Sequence, residues 1–417
     1  MKNMGAKKVF YAGHLRAFKH VGAHPQFEHI NCAPPGYEFV FGNHLDFKTI
    51  VPLLKSLVHL SRDSLANGAT LNDFVKFVRS RSISTQFSLP SGMSLVFLPS
   101  MPFILGQVPW VIEIEDTTTL FAPFPRIDGK RHDPRLFGTG GIYDSGFLPM
   151  IKALLESTNC RGIICHVRST AKSVPVLFNN AQLADKIMYI PLGIQSRSQV
   201  KVPKKNDTIT LLFTNSWHQA STGFYLRGGL DVLEAYSVVF STHADVRLII
   251  RSKLPEGLDH RYREIIERCN VQVIDQFLSG KDLHALYSSA DIYVLPSARL
   301  HVVSILQAMA HGLASVVSDG WGIAEYVDHG RNGLIVPGRY GTCSWMDENG
   351  MLRENYQSLF SANPAVATGL VDALSMLIKN PDMRRNLAEA AVKDVATTYS
   401  IERWNLDLAK AFDKALM

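Results

Sequence analysis

Residues 291–337, DIYVLPSARLHVVSILQAMAHGLASVVSDGWGIAEYVDHGRNGLIVP, constrain the fold of this 417-residue chain more than any other stretch. An apolar run over 292–295 stops at Pro296. A short loop over 297–303 follows, and SILQAMAHG then places apolar residues at helical spacing up to Gly312. A second apolar run, 314–317, leads into the loop SDGWG, and a third, 333–336, closes the unit. Strand, loop, helix, strand, loop is the crossover unit of a parallel sheet. Ligands of such sheets sit beyond the carboxyl ends of the strands. Both loops follow strand ends, so both are expected to face one cleft.

The same alternation extends over most of the chain. In the second half, TITLLFTNS, VRLIIRS and VQVIDQFL read as strands. RGGLDVLEAYSVVF, HRYREIIERC and SGKDLHALYSSA read as helices, the last capped by Ser279. In the first half, KKVFYAGHL, MSLVFLPS, PWVIEIED, residues 162–165 and KIMYIPLGI read as strands, with helices over 43–58 and 146–157. Residues 18–39 lack a period and are rich in Pro, Gly and His, so they read as loop. Residues 121–146, rich in Pro, Gly, Arg and Asp, read as a long loop and a candidate acceptor segment. KVPKKND at 201–207 is the sharpest break in composition, which sets a first domain over 1–200 and a second over 201–398. An amphipathic helix, 399–417, ends the chain.

Composition bounds the function. Apolar residues at 46% are enough for two cores, and the net charge is +6. Lys and Arg are scattered, without the basic block of a nucleic-acid arm, so no nucleic-acid partner is expected. The basic balance suits an anionic substrate or a peripheral contact with anionic lipid. Five irregularly spaced cysteines suit a reducing compartment and offer no zinc pattern. Neither a signal-peptide core nor an apolar run of membrane-spanning length is present, so a cytoplasmic chain is expected.

A helix N-terminus presents free backbone N–H groups and the positive end of its dipole, which suit a phosphate. The loop before SILQAMAHG offers such a start, with Arg299 and His301 adding charge and Val302, Val303 and Ser304 supplying amides. Arg227, just before Gly228 and Gly229, stands at a second helix start. Together they make a candidate diphosphate cradle. Gln307 shares a face with Ser304, either as a buried amide or as a partner for ribose hydroxyls. Asp319, Trp321 and Gly322 occupy the second loop, and Glu325 follows as a helix-start acid or a donor contact. In the first half, alternation puts Glu113 and Glu115 on one face, with Asp116 next. They are either a solvated or capping cluster or carboxylates for an acceptor hydroxyl. His14, at the end of the first strand, is the other candidate base. No Walker A pattern, no GxGxxG after the first strand, no GxSxG and no HExxH occurs.

The run PSARLHVVSILQAMAHGLASVVSDGWGIAEYVDHGRNGLIV resembles the donor-site run of GT-B fold glycosyltransferases, in particular retaining family 4, glycosyl transferases group 1. The matching features are AMAHG, VVSD and ExVxxGxNGxxV, and YLRGGLDVLEAY is similar to the family's KGxxxLLxA element. The resemblance is specific over 213–337 and topological before that. It implies two Rossmann-like α/β domains facing a central cleft, with the last helix crossing back to the first. It further implies a hexosyl-type transferase that takes a nucleotide-sugar donor and a glycan, lipid-linked or small-molecule acceptor, without a cofactor or metal. The family's Glu-x7-Glu element is altered, with Arg299 and Gln307 at its two acidic positions. Arg299 reverses the charge at the sugar end, which implies either recognition of an acidic sugar or a phosphate, or a different way of catalysis. The alternatives are a GT-B binding subunit without turnover and a sugar-nucleotide epimerase.

Overall fold

The computed structural model describes residues 6–11, 32–41, 50–80, 92–99, 108–121, 126–127, 130–131, 147–197, 208–215, 223–339 and 357–417. Two six-stranded parallel sheets organise them. The first holds β1 (Lys7–Tyr11), β2 (Tyr37–Val40), β3 (Leu95–Pro99), β4 (Trp110–Ile114), β5 (Cys160–Cys165) and β6 (Ile187–Tyr189), in the order β2-β1-β3-β4-β5-β6. The second holds β7 (Ile209–Thr214), β8 (Val246–Arg251), β9 (Gln272–Ile274), β10 (Ile292–Leu295), β11 (Ala314–Ser318) and β12 (Leu334–Val336), in the order β9-β8-β7-β10-β11-β12. The central strands β3, β4, β10 and β11 are buried along their whole length. Such continuous apolar runs are what a parallel sheet covered on both faces requires.

Helices connect the strands. In the first domain they are α1 (Ile50–Ala66), α2 (Leu71–Ser80), α3 (Phe147–Glu156) and α4 (Arg168–Leu177). In the second they are α5 (Gly229–Thr242), α6 (His260–Arg268), α7 (Gly280–Ser289) and α8 (Val302–Ala310), followed by α9 (Pro364–Lys379) and α10 (Pro381–Thr397). Their starts follow local chemistry. Ser279 Oγ accepts the Asp282 N–H at 3.2 Å to cap α7. Asn380 Oδ1 accepts the Met383 N–H at 3.0 Å to cap α10, with Pro381 at the first helical position.

The last helix, α11 (Ile401–Leu416), starts on the Ser400 cap and packs on β3, β4 and β5 of the first domain. Trp404 and Phe412 are fully buried there, and the Phe412 ring meets those of Tyr37 and Phe97 edge-on at 5.2 and 5.4 Å. Asp413 accepts from the Tyr37 hydroxyl at 2.7 Å and from Lys7 Nζ at 3.0 Å. The chain therefore passes between the domains a second time near Ser400. There the two passages pair: the Ile194 N–H donates to Tyr399 O at 2.8 Å and the Ile401 N–H to Ile194 O at 3.0 Å. A Cβ at Gly193 would fall on the Ser400 carbonyl and on Trp404, so only glycine lets the passages approach this closely.

Two expectations are corrected. Residues 18–39 contain the start of β2, which pairs in parallel with β1 from Lys7↔Tyr37 to Phe10↔Val40. Four residues are too short to show a period, and an edge strand is held by its partner rather than by its own pattern. The helix expected from 304 begins at Val302, so two amides expected in the loop belong to its first turn. The break at 201–207 and His14 lie outside the described residues, as does the 121–146 stretch apart from Phe121 and the short antiparallel pair Arg126–Ile127 with Lys130–Arg131. No helix among the described residues is long and apolar enough to cross a membrane.

Candidate functional site

The strand order of the second sheet reverses between β7 and β10, which opens a crevice beyond their carboxyl ends. Residues 296–301, between β10 and α8, form one wall of it, and the loop after β11 lies alongside. The two loops are tied by backbone: the Leu300 N–H donates to Trp321 O at 2.6 Å and the Trp321 N–H to Ala298 O at 3.1 Å. Beneath them Gly228 adopts a left-handed φ of 77° against the Pro296 carbonyl, where a side chain has no room. Arg227 is 0% exposed there and donates to Ser297 Oγ at 3.2 Å.

Across the crevice, the first domain contributes the residues after β4. Glu115 Oε1 accepts the Val302 N–H at 3.2 Å, on the first turn of α8. Asp116 forms a buried ion pair with Arg299. The helix start read as a phosphate site is thus occupied by a carboxylate of the same chain, and Arg299, read as a partner for a phosphate or an acidic sugar, faces an aspartate. Burial is the largest influence on Glu115 and raises its pKa, with Asp116 acting in the same direction. Arg299, the Val302 N–H and Arg227 oppose this without overcoming it. The locus combines two guanidiniums, a helix N-terminus and two carboxylates.

A second bridge lies lower in the crevice. Glu325 accepts from the Arg168 N–H at 2.6 Å, the Ser169 N–H at 3.0 Å and the Ser169 hydroxyl at 2.7 Å. Val167, at the cap position of α4, makes no side-chain cap, so Glu325 caps that helix from the other domain. The Tyr326 hydroxyl donates to His166 O at 2.8 Å and accepts the Leu192 N–H at 3.2 Å.

The remaining expected site residues are dispersed. Glu113 does not share a face with Glu115. It is buried inside the first domain, with Oε2 3.6 Å from His166 Nε2, while His166 Nδ1 faces Ile190 O at 3.1 Å. The reason is that β4 ends at Ile114, so strand alternation no longer governs Glu115. Asp319 accepts from the Gly338 and Arg339 N–H groups at 3.1 and 2.6 Å and so fastens the turn after β12. Trp321 is buried, and Gly322 takes a left-handed φ of 78°. His301 Nδ1 and Ser304 Oγ are 2.6 Å apart on the first turn of α8, where Val302 is buried and Val303 half-buried. Gln307 is buried on α8, and its carbonyl accepts from His311 Nδ1 at 2.7 Å.

Sequence reasoning missed Ser169, Arg168 and Tyr326, and a buried hydroxyl cluster under the crevice. In that cluster Thr214 Oγ1 lies 2.8 Å from Tyr293 Oη and 3.3 Å from Tyr287 Oη. Burial pushes both phenols up, so they act as neutral hydrogen-bonding groups. Only the strand-end position of Thr214 gave any signal. Among the described residues, no group of three or more His, Cys, Asp or Glu side chains is placed to hold a metal ion.

Comparison with known proteins places this geometry. Residues 225–346 match the family described as glycosyl transferases group 1. An uncharacterized glycosyltransferase of Methanocaldococcus jannaschii is 24% identical over 233 residues, which cover 51% of this chain and 57% of that protein. The chain thus spans just over half the length of this curated relative. Among solved structures, a glycosyltransferase from Rickettsia africae superposes with a TM-score of 0.55 at 12% identity over 99% of both chains. Sucrose-phosphate synthase from Thermosynechococcus elongatus superposes with 0.54 at 13% identity over 98% of both. Anabaena HepE in complex with UDP superposes with 0.54 at 12% identity over 98% of this chain and 99% of that one. At these identities the likeness shows the fold. Residues 225–346 are thus similar to the glycosyl transferases group 1 family, and the described residues have the two-domain GT-B fold.

Proposed function

We propose that the chain transfers a sugar, of hexosyl type, from a nucleotide-diphosphate sugar to an acceptor hydroxyl, with the donor in the crevice between the domains. The observation that carries this reading is the anion already seated there: the Glu115 carboxylate on the Val302 N–H, beside Arg299 and Arg227. A place that holds a carboxylate through a helix N-terminus and two guanidiniums has the chemistry to hold a phosphate. The shared fold with HepE, whose structure contains UDP, supports a nucleotide occupant.

In this reading the bond from the anomeric carbon to the diphosphate oxygen breaks and the acceptor oxygen bonds to that carbon. The nucleoside diphosphate leaves with the electron pair. Arg227 and the first turn of α8 stabilise its developing charge, so the reading assigns no cofactor or metal. Of the two first-domain carboxylates that reach the crevice, Asp116 is held by Arg299, and Glu115 takes the acceptor proton. Glu113, facing His166, does not. The acceptor is a glycan, a lipid-linked sugar or a small molecule, in glycan or surface-polysaccharide assembly on the cytoplasmic side, and it approaches on the face from which the diphosphate leaves, so that the anomeric configuration is retained. The test is calorimetric binding and nucleotide release over a set of nucleotide sugars. Absence of binding, with Arg227→Ala behaving as wild type, sinks the reading.

A second reading is favoured by one observation. The Arg299–Asp116 pair ties up the position where the family carries its first acid, which suits a nucleotide-binding subunit without turnover. Tight nucleoside diphosphate binding without transfer to any acceptor selects that reading. Interconversion of the free sugar nucleotide selects an epimerase instead.

A further inference from the structure

The outer face of α1 and α2 leaves large apolar side chains in solvent. Leu54, Val58 and Leu65 of α1 are 55, 67 and 44% exposed, and Leu71 and Val75 of α2 are 63 and 40% exposed. These five do not scatter. At about 100° per residue, Leu54, Val58 and Leu65 fall within about 40° of one another on α1, and Leu71 and Val75 do so on α2. Leu60 and Phe77 point inward on the two helices, and Phe77 meets the Phe147 ring of α3 edge-on at 5.1 Å. Both helices pack on α3 and on each other, and both stripes are left exposed by those contacts.

Charge follows the same order on both helices. Next round α1 from the apolar stripe come Arg62, Lys55 and His59, all exposed, and next round α2 comes Lys76, also exposed. The acids are fewer and engaged. Asp63 pairs with Arg62 at 3.2 Å, and Asp73 caps α2 by accepting the Thr70 N–H at 3.0 Å. An apolar stripe bordered on one side by cations is the pattern of a helix lying in a membrane interface, apolar side chains in the acyl boundary and cations at the headgroups. Exposed apolar side chains gathered into a stripe, rather than scattered singly, mark a contact surface.

We propose that the α1–α2 face docks the first domain onto an anionic lipid bilayer, with Leu54, Val58 and Leu71 inserted and Lys55, Arg62 and Lys76 on the headgroups. This does not rest on the transferase reading. It assigns residues that take part in neither crevice bridge, so its failure leaves that reading untouched. The experiment is flotation of the full chain with phosphatidylcholine vesicles, with or without phosphatidylglycerol. Wild type is expected to float only with the anionic vesicles and to be released by salt. Leu54→Ser/Val58→Ser/Leu71→Ser and Lys55→Glu/Arg62→Glu are each expected to weaken binding at least about tenfold. Circular dichroism checks that both variants remain folded, and Leu406→Ser, an exposed apolar position on α11, serves as a control that keeps binding. Equal flotation of wild type and all variants, or none by wild type, overturns the proposal. So does a wild-type dimer that the triple variant converts to monomer, because the face is then a protein contact.

Discussion

Glu115 sits on the backbone N–H of Val302 at 3.2 Å, so the first domain places a carboxylate on the first turn of a helix in the second. An anionic ligand that uses this turn must displace it. Glu115→Gln removes the competing charge while keeping an acceptor oxygen. It is expected to tighten nucleoside diphosphate binding about tenfold, the scale of one charge at a helix terminus in a partly buried place. If Glu115 also takes the acceptor proton, transfer falls while binding rises. Calorimetry beside a transfer assay separates the two, and weaker binding by Glu115→Gln contradicts the competition.

The same group sets a pH dependence. Burial raises the Glu115 pKa from its ordinary 4.5, so the folded state holds this proton more tightly than the unfolded state. Its contribution to stability is full below 4.5 and is lost as pH rises through the raised value. Nucleotide affinity moves in the same sense, falling as the carboxylate ionises. Both trends are expected to flatten in Glu115→Gln, measured by thermal melts and by binding across the mildly acidic range.

His284 gives the opposite slope. Burial, with Arg197 and His311 nearby, lowers its pKa from 6.5 to about 4. The fold keeps it neutral, so its contribution is present above 6.5 and is lost as pH falls towards 4. In His284→Phe the melting temperature is expected to lose part of its fall over that window. An unchanged profile shows that the ring is hydrated enough to titrate normally.

Arg299 and Asp116 are both buried, and they pair across the crevice. Arg299→Met leaves Asp116 buried without its guanidinium. It is expected to cost about 3–5 kcal/mol in chemical denaturation. Asp116→Asn in the same chain restores most of that loss, because no net charge is then left buried. A small cost for Arg299→Met alone shows that Asp116 reaches water when the domains separate.

Glu325 caps α4 through two backbone N–H groups and the Ser169 hydroxyl. Glu325→Ala is expected to lower stability by about 1–2 kcal/mol without any ligand, with Glu325→Gln in between. If its only role is to touch a donor, the melting temperature of the free protein does not move and only binding changes.

The sequence made local features legible and left partnerships hidden. The second sheet was readable because each strand is a short apolar run and each helix has a stripe, both settled within about ten residues. The Ser279 cap was readable because its acceptor is three residues away. Edge strand β2 was not, since its stability comes from β1. The site divides the same way. Arg227, Arg299 and the start of α8 were read as a diphosphate cradle from two helix starts, their arginines and the strand-end loops before them. That the anion is Glu115, 187 residues earlier in the chain, depends on how two domains meet, and no periodicity encodes that. Glu113 was misplaced beside Glu115 for the complementary reason, because alternation was carried one residue past the end of β4.

The pairing of Ile194 with Ser400 and its neighbours bears on how the protein is made. The first domain is built from strands between residues 7 and 189 together with α11, whose Trp404 and Phe412 are fully buried in its core. Among the described residues, the strands and helices of the second domain lie between residues 209 and 397. During synthesis from the N-terminus, the domain begun first lacks part of its core until α11 leaves the ribosome, while the domain begun second already has all of its parts. Order of synthesis and order of completion are thus reversed. Until α11 has been made, the apolar surface of β3, β4 and β5 that it covers in the folded protein stays open.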